Sequence, residues 1–163
     1  MGAFALQIAA WVAKTKGDMD QVVRYALLSI DGKLVQRSPV GDAKYWIHPA
    51  PKGYAGGRFR GSWQMSIGAP PDGMIRAIDK DGSATLAAHA GVVAAAKAGQ
   101  VFYLVNNVPY AKRIEEGWSR QAPHGLVAIT VVEWSNIVDA AVNGVRSGTS
   151  ADDFAQGYQS YAL

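Results

Sequence analysis

The chain has 163 residues, a length that suits one domain and leaves little room for a second full one. Hydrophobic residues make up 49% and charged residues 18%, a globular composition that excludes disorder of the whole chain, although alanine supplies much of the apolar count and little core volume. A formal charge of +3 gives only a mild attraction to polyanions, and the absence of cysteine removes disulfides, thiolate metal sites and a cysteine nucleophile.

The first eight residues are apolar but have no basic leader, and Gln7 and Lys14 interrupt the run, so the segment reads as a helix and not as a secretory signal. Leu6 stands where a myristoylation pattern needs serine or threonine. No apolar run approaches the ~20 residues of a membrane span, so a soluble, cytoplasmic product is expected. Phe4, Ile8, Trp11 and Val12 recur at helical spacing, Gly17 is predicted to close that helix, and Asp18 to cap a second over residues 19–34. Ser38-Pro39-Val40 ends it, because proline lacks an amide donor and pushes its predecessor out of helical dihedrals. Residues 41–56 then mix turn formers with Tyr45, Trp46 and Tyr54, the pattern of a long contact loop.

Trp63, Met65 and Ile67 alternate with Gln64 and Ser66, which predicts a half-buried strand, followed by a turn over 68–73 and a short strand over 74–78. Ser83 is expected to cap a helix over 84–98 that Gly99 stops. Residues 101–105 are apolar on both faces and predict a central strand. From 126 to 146 the positions Val127, Val131, Trp134, Val138, Ala141 and Val145 predict one long amphipathic helix, whose β-branched first turn could instead open as a strand. The tail, 147–163, places Phe154, Tyr158 and Tyr161 three or four residues apart and reads as a docking arm, so that its removal should leave the domain of residues 1–146 folded.

Sequence motifs for chemistry are largely missing. There is no phosphate-binding loop, dinucleotide fingerprint, zinc-peptidase helix or nucleophile elbow; Gly148-Thr149-Ser150-Ala151-Asp152 lacks the closing glycine of the last. Asp79-Lys80-Asp81-Gly82-Ser83 opens like a calcium loop, but Ala84 and Ala90 occupy the positions of the central glycine and the closing carboxylate, which leaves a capped turn. His48, His89 and His124 show no ligand spacing, and the neighbouring Glu115 and Glu116 point apart on a helix. No catalytic, metal or cofactor-binding residue is expected, and no enzyme. Arg58 and Arg60 flank Phe59 at the start of a strand and would share a face, suited to a phosphate backbone, an acidic partner or plain solvent. Two further readings stay open: a nucleic-acid-binding module stacking bases on Trp46, Tyr54 and Phe59 among Lys52, Arg58 and Arg60, and a small metal-dependent nuclease or hydrolase using Asp79, Asp81 and a histidine.

One ordered series of motifs says more. It runs from Pro39 through Gly57, Arg58, Arg60, Ser62 and Trp63 to Asn106-Asn107, Pro109-Tyr110, Glu115 or Glu116 with Gly117, and Gln121-Ala122-Pro123 with Gly125. Across about residues 38–138 this series resembles the neck and tail-completion proteins of tailed bacteriophages. The resemblance implies an α+β domain, an antiparallel sheet packed against helices that include a long C-terminal one, with extended loop and tail arms. It further implies a structural virion protein that forms a six- or twelve-fold homo-oligomeric ring around the DNA path. Its partners would be head-connector or head-closure proteins on one side and tail terminator or tail tube proteins on the other. The protein would reside in the host cytoplasm before assembly, with no membrane partner. Tyr45, Trp46, Tyr54, Phe154, Tyr158 and Tyr161 are the expected interface residues, and Arg58 and Arg60 the expected contacts to DNA or an acidic partner. Many family members pass almost directly from the proline corner to the glycine, whereas this chain inserts the aromatic loop 41–56.

Overall fold

One helix, α1 (Ala3–Arg37), replaces the two predicted at the start of the chain. Gly17 lowers helix stability by about 1 kcal/mol relative to alanine, too little to end a helix that meets no proline before Pro39. Asp18, expected as a cap, faces Lys14 one turn earlier at 3.4 Å. The C-terminal stop lies where predicted: the Ser38 hydroxyl donates back to the Leu34 carbonyl at 2.6 Å, and Pro39 follows. The structure, a computed structural model, describes residues 3–42, 44, 48–50 and 52–159. Tyr45, Trp46 and Tyr161 lie outside those residues, as does the side chain of Tyr158.

After a 3-10 turn at Arg60–Ser62, strand β1 (Trp63–Ile67) pairs antiparallel with β2 (Phe102–Asn106), Trp63 opposite Asn106 and Ile67 opposite Phe102. Trp63 and Met65 are buried between the half-exposed Gln64 and Ser66, as the alternation predicts. The sheet has two strands among the described residues, so β2 is half-buried throughout and not central. Residues 74–78 form no strand, because other groups claim their neighbourhood: the Ser62 hydroxyl donates to the Ile75 carbonyl at 2.9 Å, and the Asp79 amide donates to the Gly57 carbonyl at 3.2 Å.

Helix α2 (Ser83–Ala95) stops three residues earlier than predicted and is capped by Asp79, not by Ser83. The Asp79 carboxylate accepts the Gly82 and Thr85 amides, each at 2.8 Å, and the Thr85 hydroxyl at 2.7 Å. Both oxygens of the residue that would open a calcium loop are thereby held by helix donors. A short α3 (Ala111–Glu115) precedes α4 (Val127–Val132), α5 (Trp134–Ser147) and α6 (Ala151–Gln159). The long helix predicted over 126–146 is thus helical from its first turn but divides at Glu133. The Glu133 carboxylate turns to α1, accepting both Arg37 guanidinium nitrogens at 2.8 and 3.0 Å and meeting Lys33 at 2.8 Å. Arg37 first, and Lys33 with it, holds the Glu133 carboxyl below its usual range.

Three apolar clusters surround the C-terminal half of α1. Leu34 and Val35 meet Phe59, Trp63, Val108 and Leu126; Tyr25 and Ala26 meet Ile137, Ala141 and Phe154; Leu27 meets Met65, Val93 and Ala96. Phe154, expected at a contact between subunits, is instead buried inside its own chain, its ring stacked 4.2 Å from that of Tyr25. The Tyr25 hydroxyl donates to the Thr149 carbonyl, fixing the turn that brings α6 back. Removing residues 147–163 would therefore open the second cluster.

Between α1 and α2 lies one buried ion pair. His89 Nδ1 is 2.9 Å from the Asp31 carboxylate and its Nε2 is 3.1 Å from the Trp63 carbonyl, so both ring nitrogens face acceptors, an arrangement that favours the imidazolium with its two N–H donors. Burial opposes that charge, but Asp31 and the Trp63 carbonyl outweigh it and raise the His89 pKa. Burial also lifts the Asp31 carboxyl above its ordinary value. Because the folded His89 binds its proton more tightly than the unfolded one, its contribution is complete below about pH 6.5 and is lost as pH rises through the raised folded value. His89→Leu, which strands Asp31 in the interior, should cost about 3–5 kcal/mol in urea unfolding. In His89→Gln the alkaline loss of stability should flatten relative to the parent chain; an unchanged slope would mean that this pair does not set it.

Candidate assembly surfaces

The ordered motif residues hold loops against the core. Trp63 donates its indole N–H to the Ser38 hydroxyl at 2.7 Å beside the buried Pro39, and Asn106 donates to the Phe59 carbonyl at 2.8 Å. Asn107 reaches the Pro71 and Gly73 carbonyls at 3.1 and 2.8 Å, and the Ser62 hydroxyl binds the Arg58 and Ile75 carbonyls. Gln121 brackets Val40 with two bonds, accepting its amide at 2.9 Å and donating to its carbonyl at 3.1 Å. Tyr110 packs on Phe59 with ring centres 6.1 Å apart, and burial raises its hydroxyl pKa; Pro109 is exposed just before it.

Glu115 is the acidic residue of the motif that matters to the fold. Its carboxylate accepts the amides of Leu126, Val127 and Ala128 at 2.8, 3.0 and 2.8 Å, closing the first turn of α4 from eleven residues upstream. Burial alone would raise its pKa, but the three amides win and lower it. Gly125 has a φ of 75°, and a Cβ there would lie 2.6 Å from both the Glu115 carbonyl and carboxylate oxygens. Gly117, at a φ of 83°, has the Pro123 carbonyl oxygen 2.5 Å from where its Cβ would stand. Gly57 is pressed in the same way against the backbone of Asp79. The motif is a set of close approaches and caps. Sequence spacing revealed the order of these residues but not that Glu115, rather than Glu116, reaches α4.

Arg58 and Arg60 do not share a strand face, because the strand begins only at Trp63 and residues 60–62 turn. Arg60 is a clamp: its guanidinium donates to the carbonyls of Gln36, Ser38 and Lys80 at 2.7, 2.9 and 2.6 Å. Burial lowers its pKa, opposed by Asp79 and Asp81. Arg58 is exposed and borders a cleft of about 620 Å³ lined by Tyr54, Phe59, Tyr110, Ile78 and Ile114. Of the two arginines, Arg58 is the one open to solvent.

The most unusual surface was not singled out by sequence. The first half of α1 leaves the body of the protein, with Phe4 75%, Trp11 65% and Leu6 59% exposed, and Ile8 and Val12 also open. Around α4 a second apolar stripe faces outward: Val127, Val131 and Trp134 at i, i+4 and i+7, joined by Val132. These are half of the positions predicted to be the core stripe of the long helix. The inward stripe begins one residue earlier, with Leu126, Thr130 and Ile137, and meets the predicted stripe at the buried Ala141. Both alternatives present an apolar face, so periodicity alone could not choose between them; the Glu115 cap and the Glu133 ion pairs do.

No protein-family model, no curated protein and no solved structure matches this chain.

Arg60→Ala should lower stability by about 2–3 kcal/mol, since it unpairs the two partly buried carbonyls of Gln36 and Ser38 as well as the exposed Lys80 carbonyl, while Arg58→Ala should stay within about 0.5 kcal/mol of the parent in the same denaturation assay. Gly125→Ala should destabilise by more than about 2 kcal/mol, through a left-handed backbone and a clash with Glu115. A milder Gly125→Ala effect would show that the corner yields.

Proposed function

We propose that this chain is a structural virion protein of the phage neck or tail end, a subunit of a homo-oligomeric ring that helps join head connector to tail tube around the DNA path. The observation that carries the assembly half of this reading is the apolar, fully helical projection of α1. Isolated apolar side chains on a surface need no explanation, but a whole helical segment of them marks a contact with another macromolecule. The phage half rests on the ordered motif series from Pro39 to Gly125. A mixed fold of six helices and a two-stranded antiparallel sheet among the described residues is compatible with it.

In this reading the ring would be six- or twelve-fold, flanked by head-connector or head-closure proteins and by tail terminator or tail tube proteins. The loop 41–56 would reach a neighbour. Of the C-terminal tail, only the residues beyond the buried Phe154, including Tyr158 and Tyr161, are left to act as an arm. Arg58 would face the DNA path and hold the backbone without reading sequence, as Arg60 is committed to the fold.

The test is electron microscopy of lysates from a phage whose copy of this gene carries an early stop codon. Filled heads lying apart from tails, or tails of abnormal length, are the expected result. Normal infectious particles would overturn the proposal and bring the nucleic-acid-binding and nuclease readings forward.

A further inference from the structure

The two exposed apolar stripes lie too far apart to cover each other within one chain. Glu133, at the end of α4, is bound to Lys33 and Arg37 at the C-terminal end of α1, whereas the open stripe of α1 is centred on Ile8 and Trp11. At 1.5 Å per residue, the stretch of straight helix from Trp11 to Arg37 separates them by about 40 Å.

The open stripe is also in phase with the buried one. At 100° per residue, Phe4, Ile8, Trp11 and Val12 project from the same side of α1 as Val22 and Ala26, which pack on α5, and as Lys33 and Arg37, which bind Glu133. Beyond the end of α5, then, α1 goes on offering the kind of face that a helix of this chain already covers farther along. The outer stripe of α4 has matching character: Val127 and Val131 lie along it, and Trp134 continues it at the start of α5. Lys16 borders the α1 stripe, and the exposed Asp139 lies little more than a turn beyond Trp134, so the pairing brings opposite charges to its rim.

We propose that the outer stripe of α4 is the docking site for the N-terminal half of α1 from a second copy of this chain. The proposal rests on the ring reading above and specifies the contact that would build it. Self-pairing of two α1 projections would cover one stripe and leave α4 bare in both copies; the head-to-tail contact covers both stripes at once and repeats from copy to copy, as a ring requires. With two large aromatics on one side and Trp134 with three valines on the other, the contact removes roughly 1,000 Å² from water, which reaches the size of a specific interface.

The chain contains no cysteine, so engineered pairs can be read without background. Two differently tagged full-length copies, one Ile8→Cys and one Val131→Cys, are mixed and oxidised; Trp11→Cys with Val127→Cys samples the neighbouring register. The expected result is a disulfide-linked heterodimer in one of the mixtures at least tenfold more abundant than the linked homodimer of either copy alone. Val131→Asp, at a 65% exposed position, should lower the oligomeric mass seen by light scattering with the helical circular dichroism unchanged. Cross-linking of the Ile8→Cys copy with itself, at the level of the mixture, would overturn the proposal in favour of paired projections. An oligomer by light scattering that yields no cross-link in either mixture would overturn this contact and leave the ring reading standing. A parent chain that stays monomeric at every concentration, with no cross-link in either mixture of cysteine variants, would overturn both.

Discussion

Everything in this fold leans on residues 25–38, the C-terminal end of α1 and the serine that follows it, which are enclosed on three sides by side chains drawn from Phe59 through Phe154. A two-stranded sheet is marginal on its own, and helices as short as α3 and α4 do not persist in water without tertiary support. The sheet, α2 and the pair α5–α6 each bury their apolar face against a different side of that one helical segment. Its polar residues serve the same end: Ser38 receives Trp63, Asp31 receives His89, and Lys33 and Arg37 receive Glu133. Loss of order in this stretch would release all three clusters together.

Elements with one strong local signal were legible from sequence. The Trp63–Ile67 alternation, the stop at Ser38-Pro39 and the alanine-rich helix after Gly82 depend on side-chain period, proline sterics and helix propensity, each written within a few residues. Where the structure departs, a distant partner decided. Glu133 divides a continuous periodic run because two cations of α1 bind it, and Asp79 displaces Ser83 as cap because its carboxylate reaches both Gly82 and Thr85. Gly17 reads as a terminator only if a single glycine is taken as stronger than the helix-compatible run on either side of it in this 35-residue helix. Phe154 illustrates the same limit: an aromatic at helical spacing near a terminus looks identical whether it meets another subunit or, as here, Tyr25 of its own chain.

The candidate surface was the least legible part, for a physical reason. Amphipathic periodicity reports that a helix has an apolar side; it does not report whether the same chain supplies the cover. The motif residues, by contrast, were found in sequence and turn out to be internal: Glu115, Gly117, Gln121 and Gly125 build one corner in which a carboxylate, two glycines without Cβ atoms and a side-chain amide replace regular secondary structure. Such a corner tolerates little change of residue type, which accounts for a spacing pattern that stands out in the sequence.

Gly17 acquires a mechanical meaning from its position. It sits near the point where α1 leaves the body, has no atom within 4 Å of a would-be Cβ, and is followed by the half of the helix that the core grips. The preceding segment is a cantilever: thirteen residues separate Phe4 from this root, about 20 Å of helix. A bend of only about 10° at the root sweeps the tip through roughly 3 Å, close to half a helical turn, while leaving the gripped half untouched. Glycine lowers the cost of such a bend, which would let the projection follow a surface whose spacing is set elsewhere.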